Sequence, residues 1–228
     1  MTLHGSISTY ISSIAVSLLM LVPSAACAKD DGNKAANDSV PLFCGFAVSA
    51  DLVGPVQMLI GDYGQYEAAL RINLKDRYFP IVELGIGKAD HDDDVTNIKY
   101  KTSAPYFKIG ADFNLLKNKH DVYRLYAGAR YAFTSYKYDL SHPGMKDPVW
   151  GNTAPYEAEG VKCSCQWLEA VIGVDAKMFG PVHLGWSLRY RSRLSHDDGA
   201  LGNSWYVPGF GKSGGSNIGG TFNVIIDI

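Results

Sequence analysis

Outside Met1–Ala28 the chain has no apolar run approaching the 18 or more residues that a membrane-spanning helix needs. Charge is scarce too. Asp, Glu, Lys and Arg make up only 19% of the 228 residues, which leaves little to coat a water-soluble surface, and the formal net charge is −2. A nucleic-acid binder would carry a basic excess or a basic patch, so that class is set aside. No phosphate-cradling loop is present, because Gly209–Gly220 runs into a strand and lacks the helix that such a site needs, and no glycine stands five residues before Gly211-Lys212-Ser213. Cysteine is sparse: Cys27 falls in the leader, and Cys44, Cys163 and Cys165 remain, an odd number for an exported chain. The Cys163-x-Cys165 spacing lacks the second pair that a zinc site needs, so these read as small buried residues. No metal or cofactor is expected.

What the chain does have is glycine (24 residues), tyrosine (14 residues) and a strict two-residue alternation. It is clearest in Leu168–Arg193. Leu168, Ala170, Ile172, Val174, Ala176 and Met178 oppose Glu169, Val171, Gly173, Asp175 and Lys177. After Phe179-Gly180-Pro181, Val182, Leu184, Trp186, Leu188 and Tyr190 oppose His183, Gly185, Ser187, Arg189 and Arg191. Side chains of a strand point alternately to opposite faces, so this is an antiparallel hairpin with one apolar and one charged face. A helix is excluded, since a 3.6 period would spread those charges around the whole circumference.

Residues 1–28 read as a secretory signal, with an apolar Ile11–Val22 and a small-residue cleavage site at Ala26-Cys27-Ala28. A lipoprotein signal acylated at Cys27 is the competing reading. Residues 29–41 read as a flexible polar lead, and 42–228 as the folded domain.

The alternation predicts eight strands, with a short helical turn allowed in Leu52–Tyr63. The connections alternate in length. Ala89–Thr102, Asp139–Lys162 and Ser195–Gly215 read as long loops at one end, and the links at the other end are short. Outer-membrane barrels are built this way, with short periplasmic turns and long extracellular loops. The expected fold is an all-β, eight-stranded antiparallel up-and-down transmembrane barrel.

Alternation does not itself say which face meets lipid. The charged face carries Glu67, Arg71, Glu83, Lys108, Asp112, Arg124, Arg130, Glu169, Asp175, Lys177, Arg189, Arg191 and Asp227, interleaved with glycines. An eight-stranded barrel has an interior just wide enough for side chains to fill, and a buried ion needs a partner, so this face is expected to line the lumen as an ion-pair network. The other face is aliphatic in its middle, with aromatics such as Tyr78, Phe113, Tyr123, Phe133, Trp186 and Tyr190 towards strand ends, as in an interfacial girdle.

With the strands placed, the chain resembles a family of small outer-membrane barrel proteins from Bacteroides-like bacteria, known only as a domain of unknown function. The stretches that carry it are Gly64–His91, Ser103–Asp121, Tyr123–Gly151, Trp167–Arg191 and the terminal NSWYVPGFGK…GGTFNVIIDI. The resemblance implies an outer-membrane barrel and brings no activity or catalytic residues with it. In architecture the chain is also similar to OmpA- and OmpX-type barrels, although Ile228 stands where such barrels end in an aromatic.

Candidate chemistry is thin. Some barrels of this size modify lipid A through a His–Ser pair, and His142, His196, Ser135, Ser141 and Ser195 are available; but Ser195 and His196 are adjacent, so an extended chain points them apart. Asp90–Asp94 suits a hard cation yet lacks the glycine and spacing of a calcium loop. Trp150, Tyr156, Trp205, Tyr206 and Phe210 lie in the two longest loops, where they form a recognition surface or pack the loops onto the rim. The expectation is a monomeric, non-enzymatic outer-membrane protein of structural or surface-interaction role. Its partners would be membrane lipid, the barrel-assembly machinery, and an extracellular ligand or protein met through the loops, with no nucleic acid. A lipid A-modifying enzyme and a soluble periplasmic lipocalin-like lipid binder are the alternatives.

Overall fold

The computed structural model describes residues 41–228 apart from 119, 120, 147, 148, 150 and 203. The signal, nearly all of the lead, and Trp150 therefore lie outside the described residues. The elements are β1 (Phe43–Asp51), α1 (Val53–Ile60), β2 (Tyr63–Leu74), β3 (Tyr78–Asp93), β4 (Ile98–Asn114), β5 (Arg124–Lys146), β6 (Thr153–Phe179), β7 (Val182–Asp197), β8 (Tyr206–Val207), β9 (Gly211–Lys212) and β10 (Ser216–Asp227). Eight strands close into a ring in the order β1-β10-β7-β6-β5-β4-β3-β2, each antiparallel to its neighbours. This is an up-and-down barrel, and closure removes the sheet edges that would leave backbone groups unpaired. β8 and β9 form a separate small hairpin.

The outer face carries a continuous apolar band. Tyr66, Leu70, Leu84, Ile86, Ile109, Phe133, Leu168, Ile172, Trp186, Leu188, Tyr190 and Ile218 are all exposed large hydrophobics. On β3 the band runs from Tyr78 to Ile86, and on β7 from Val182 to Tyr190. At roughly 3.3 Å per residue and a tilt of about 40°, it is roughly 20–25 Å tall, the height of a lipid-facing belt. Among the described residues no helix is long and apolar enough to cross a membrane, so any crossing is by strands.

Above that belt the polarity of the two faces inverts while the alternation continues. On the outside Ile86 gives way to Lys88, Asp90 and Asp92; β4 shows Lys101 and Lys99, β5 Lys137, and β6 Lys162. Opposite charges face each other across β3 and β4, with Lys99 Nζ 2.8 Å from Asp92 and Lys101 Nζ 3.3 Å from Asp90. On the inside the lumen fills with Ala89, Tyr100, Ala104, Tyr106, Ala132, Tyr136, Tyr138, Cys163, Cys165 and Trp167. The upper half is thus a water-facing barrel with an ordinary apolar core.

This inversion corrects two of the expected loops. Ala89–Thr102 is mostly strand, with its turn confined to residues 94–97, and Asp139–Lys162 is mostly the paired ends of β5, up to Lys146, and of β6, from Thr153. Charges and aromatics together look like a loop when an apolar outer face is the template. The Leu52–Tyr63 region holds α1, whose Pro55 sits in the first turn, where its missing N–H costs nothing.

Candidate functional site

Ten ionisable side chains of the lumen at the level of the apolar band are buried: Glu67, Glu83, Asp112, Glu169 and Asp175 against Arg71, Lys108, Arg130, Arg189 and Arg191. Five of each sign makes the set neutral. Alternation on six strands aims them inward, and closure brings together residues more than 100 positions apart. Lys108 Nζ lies 2.8 Å from Glu67 Oε2, 3.1 Å from Glu169 Oε1 and 3.6 Å from Glu83 Oε2. Arg189 Nη1 reaches Glu67 Oε1 and Glu83 Oε2, both at 2.8 Å. Arg130 donates from Nε to Glu83 at 2.8 Å and through both terminal nitrogens to Asp112 at 2.6 and 2.9 Å, a bidentate fork that fixes orientation as well as energy. Arg71 donates to Asp175 at 2.6 Å and lies 3.5 Å from Asp112. Arg191 Nε closes the upper end 3.2 Å from Glu169 Oε1.

Each ion would lose several kcal/mol on leaving water, so the set is tolerable only because every member has an opposite-sign neighbour and most of its polar atoms have hydrogen-bond partners, Asp175 Oδ1 and Arg191 Nε excepted. Neutral groups supply some of these. The Tyr106 hydroxyl donates to Glu67 at 2.8 Å and the Trp167 indole N–H to Glu169 at 2.8 Å. Both share the inward parity of the ions they serve, and that parity was the available signal for including them. The interleaved glycines make room: a Cβ at Gly85 would strike the Tyr106 ring, one at Gly128 the Asp112 carboxylate, and one at Gly173 the Tyr126 hydroxyl.

Three of the expected lumen residues sit elsewhere. Arg124 Nη2 pairs with Asp227 at 2.8 Å, and His183 Nε2 lies 3.1 Å from the same carboxylate, a separate half-buried cluster at the short-turn end. Lys177 is exposed. It lies at the end of β6, opposite His183, where the lumen opens to solvent and its long side chain reaches water.

At the other end the chain after β7 turns back into the mouth. Tyr206, Val207 and Phe210 of the β8–β9 hairpin are at most 1% exposed, so Tyr206 and Phe210 belong to the core of the mouth and are not exposed anchors. Tyr100 donates to the Tyr206 carbonyl at 2.8 Å, Arg191 Nη1 to the Phe210 carbonyl at 2.9 Å, and the Phe210 ring meets the edge of Trp167. Gly209, at φ +81°, lets the backbone lie flat on the Tyr106 ring, a conformation and approach that a side chain would forbid. Trp205 is partly buried and stacks on His91 at 4.1 Å, while Tyr156 is half-buried on β6. Burial pushes the Tyr100 and Tyr136 hydroxyls and the Cys163 thiol above their usual values, and the Cys165 thiol up to about 11. Ser195 and His196 are successive residues of β7; the His196 imidazole lies 2.9 Å from Asp198, and His142 Nδ1 accepts the Gly144 amide at 3.0 Å.

A closed, eight-stranded barrel with an ionic lumen and an inserted cap defines the class. The chain belongs to the family described as DUF6048, domain of unknown function, whose model matches residues 7–227. No curated relative matches the chain. Among solved structures it is similar to Neisserial surface protein A (13% identity, 82% of this chain and 99% of that one, TM-score 0.44). It is also similar to a major outer membrane protein from Thermus thermophilus (14%, 80% and 98%, TM-score 0.42) and to Ail, the attachment invasion locus protein of Yersinia pestis (10%, 80% and 93%, TM-score 0.36). At these scores none of them carries weight for this chain, and the barrel rests on its own strand pairing.

Proposed function

We propose that this protein is a non-conducting outer-membrane barrel of structural or surface-interaction role, with the β3–β4 and β5–β6 extensions and the capped mouth facing outward. The observation that carries this reading is the inversion of faces. Apolar side chains point outward over a belt of bilayer height and inward above it, a pattern that suits a wall half in lipid and half in water. A soluble barrel would keep one polarity along its whole length. Within the belt the ion network leaves a lumen cavity of only about 10 Å³, the room of a single water, and the hairpin covers the mouth. The filled lumen and the inserted hairpin support a barrel that passes no solute, and the rigid upper barrel supports contacts with what lies outside.

The test has two arms. In membrane fractions the folded protein should resist detergent and change gel mobility only on boiling; a single mobility in the soluble fraction would reverse the assignment of faces. Reconstituted into planar bilayers, it should give no lasting ohmic conductance, and steady open steps would refute the closed lumen.

A further inference from the structure

The wall of the barrel is incomplete on one side. β1 pairs with β10 only over Ala47–Asp51 and with β2 only up to Ala50, whereas β10 and β2 both rise further. At that point the Asp51 carboxylate accepts the Phe222 amide together with the Val53 and Gly54 amides, ending the ladder and starting α1 at once. α1 then occupies the gap between the two strands. It is seated tightly on β2, where a Cβ on Gly54 would collide with the Gln65 carbonyl and one on Gly64 with the α1 backbone. On the β10 side it leaves a cavity of about 340 Å³. The gap begins at Phe222 and passes Ile218, which pairs with Tyr190, so it lies at the upper edge of the apolar belt. Here α1 turns Val56, Leu59 and Ile60 outward, the last two more than 80% exposed.

We propose that this cavity is a lateral binding site for an amphiphile of the surrounding leaflet, with an anionic head group inside and an acyl chain lying along α1. The inside is cationic and polar. Arg191 donates from Nη1 to the Phe210 carbonyl, its Nε lies 3.2 Å from Glu169 without a hydrogen bond, and its Nη2 lies beside Gly219 on the cavity wall. Lys212 also lines it, held over the Tyr63 and Trp205 rings at 5.7 and 5.5 Å with no carboxylate partner among the described residues. Gln57 and Asn217 add neutral polar groups. Asp51 is the one acid on the wall, and three backbone amides already satisfy it. A guanidinium, an ammonium and amides around one cavity suit a phosphate head group, and the exposed leucine and isoleucine of α1 suit its chain. The site rests on the membrane reading proposed above.

The test uses the full-length protein in nanodiscs containing an anionic phospholipid (phosphatidylglycerol) or a zwitterionic one (phosphatidylcholine) with the same chains. Native mass spectrometry after release then counts the lipid retained. One phosphatidylglycerol per protein should survive, at about tenfold preference over phosphatidylcholine. Lys212→Gln, a surface change outside the lumen network, should abolish that preference, and Gln57→Trp should fill the cavity and exclude both lipids. Boiled and unboiled gel mobility monitors folding of each variant. Equal retention by wild type and Gln57→Trp, with both folded, would overturn the site while leaving the membrane reading intact. A protein that never enters nanodiscs and shows one mobility would overturn both.

Discussion

Arg189 shows most directly what a single residue does in this lumen. It faces Glu67 and Glu83 at 2.8 Å, and its loss would leave acids that Lys108 and Arg130 cannot fully compensate. Arg189→Leu should therefore destabilise by about 3–5 kcal/mol, the cost of an orphaned buried charge, read as a lower denaturant midpoint in detergent. Asp92→Ala, which removes an exposed cross-strand partner of Lys99, should change the stability by less than about 1 kcal/mol. If the two variants unfold alike, the lumen ions are not the tightly coupled set described. Thiol chemistry separates the same environments. Burial holds Cys165 protonated up to about 11, so iodoacetamide at a mildly alkaline pH, near the ordinary thiol value of about 8.5, should spare Cys165 and Cys163 in the folded protein and modify both after boiling, as counted by peptide mass spectrometry. The Asp93 carboxyl, held below its usual value by the Val95 amide, makes the opposite kind of switch. Its folded value is depressed, so its contribution to the β3–β4 turn is present above the ordinary value of 3.8 and is lost as pH falls through the lower folded one. The Val95 amide resonance should report that titration, and an unshifted Val95 amide through this range would contradict it.

Among the elements, the β8–β9 hairpin carries more than its length suggests, because it supplies the core of the mouth. Phe210→Ala removes a fully buried ring packed on Trp167 and should cost about 3–5 kcal/mol, with faster proteolysis at the hairpin than in wild type. Such a role was not legible beforehand. Tyr206 and Phe210 stand among glycines, serine and proline without any alternation, and burial there comes from the loop folding back, not from its own pattern. The strands were legible wherever both faces kept one polarity, as in Leu168–Arg191. They were lost at Lys88 and Tyr138, where charge moved outward and aromatics inward, and just past Tyr138 a bulge between Tyr138 and Leu140 also interrupts the two-residue period. Parity placed Glu83, Asp112 and Arg130 in the lumen, but it could not say how deep a residue lies along its strand. For that reason Lys177, on the same face as Asp175, was expected in a network whose lower end it overshoots. The end of β1 at Asp51 and the helical turn after it were legible, but the gap beside α1 was not, since it depends on how far β2 and β10 rise past that end.

The molecule as a whole is one ring of strands whose pattern changes sign along its length, and on the proposed reading it does so where lipid gives way to water. The lipid-facing belt, the neutral lumen and the capped, water-facing upper barrel follow from that change. The most direct measurement places nitroxide labels, in a background with Cys44, Cys163 and Cys165 replaced by serine, at two sets of outward positions in bilayers. Labels at Leu84, Ile109 and Leu188 should be relaxed by oxygen and shielded from a water-soluble nickel chelate, whereas labels at Lys88, Lys101 and Lys137 should show the reverse. If all six positions meet the chelate alike, the outer face does not change solvent along its length, and the barrel does not stand in a membrane.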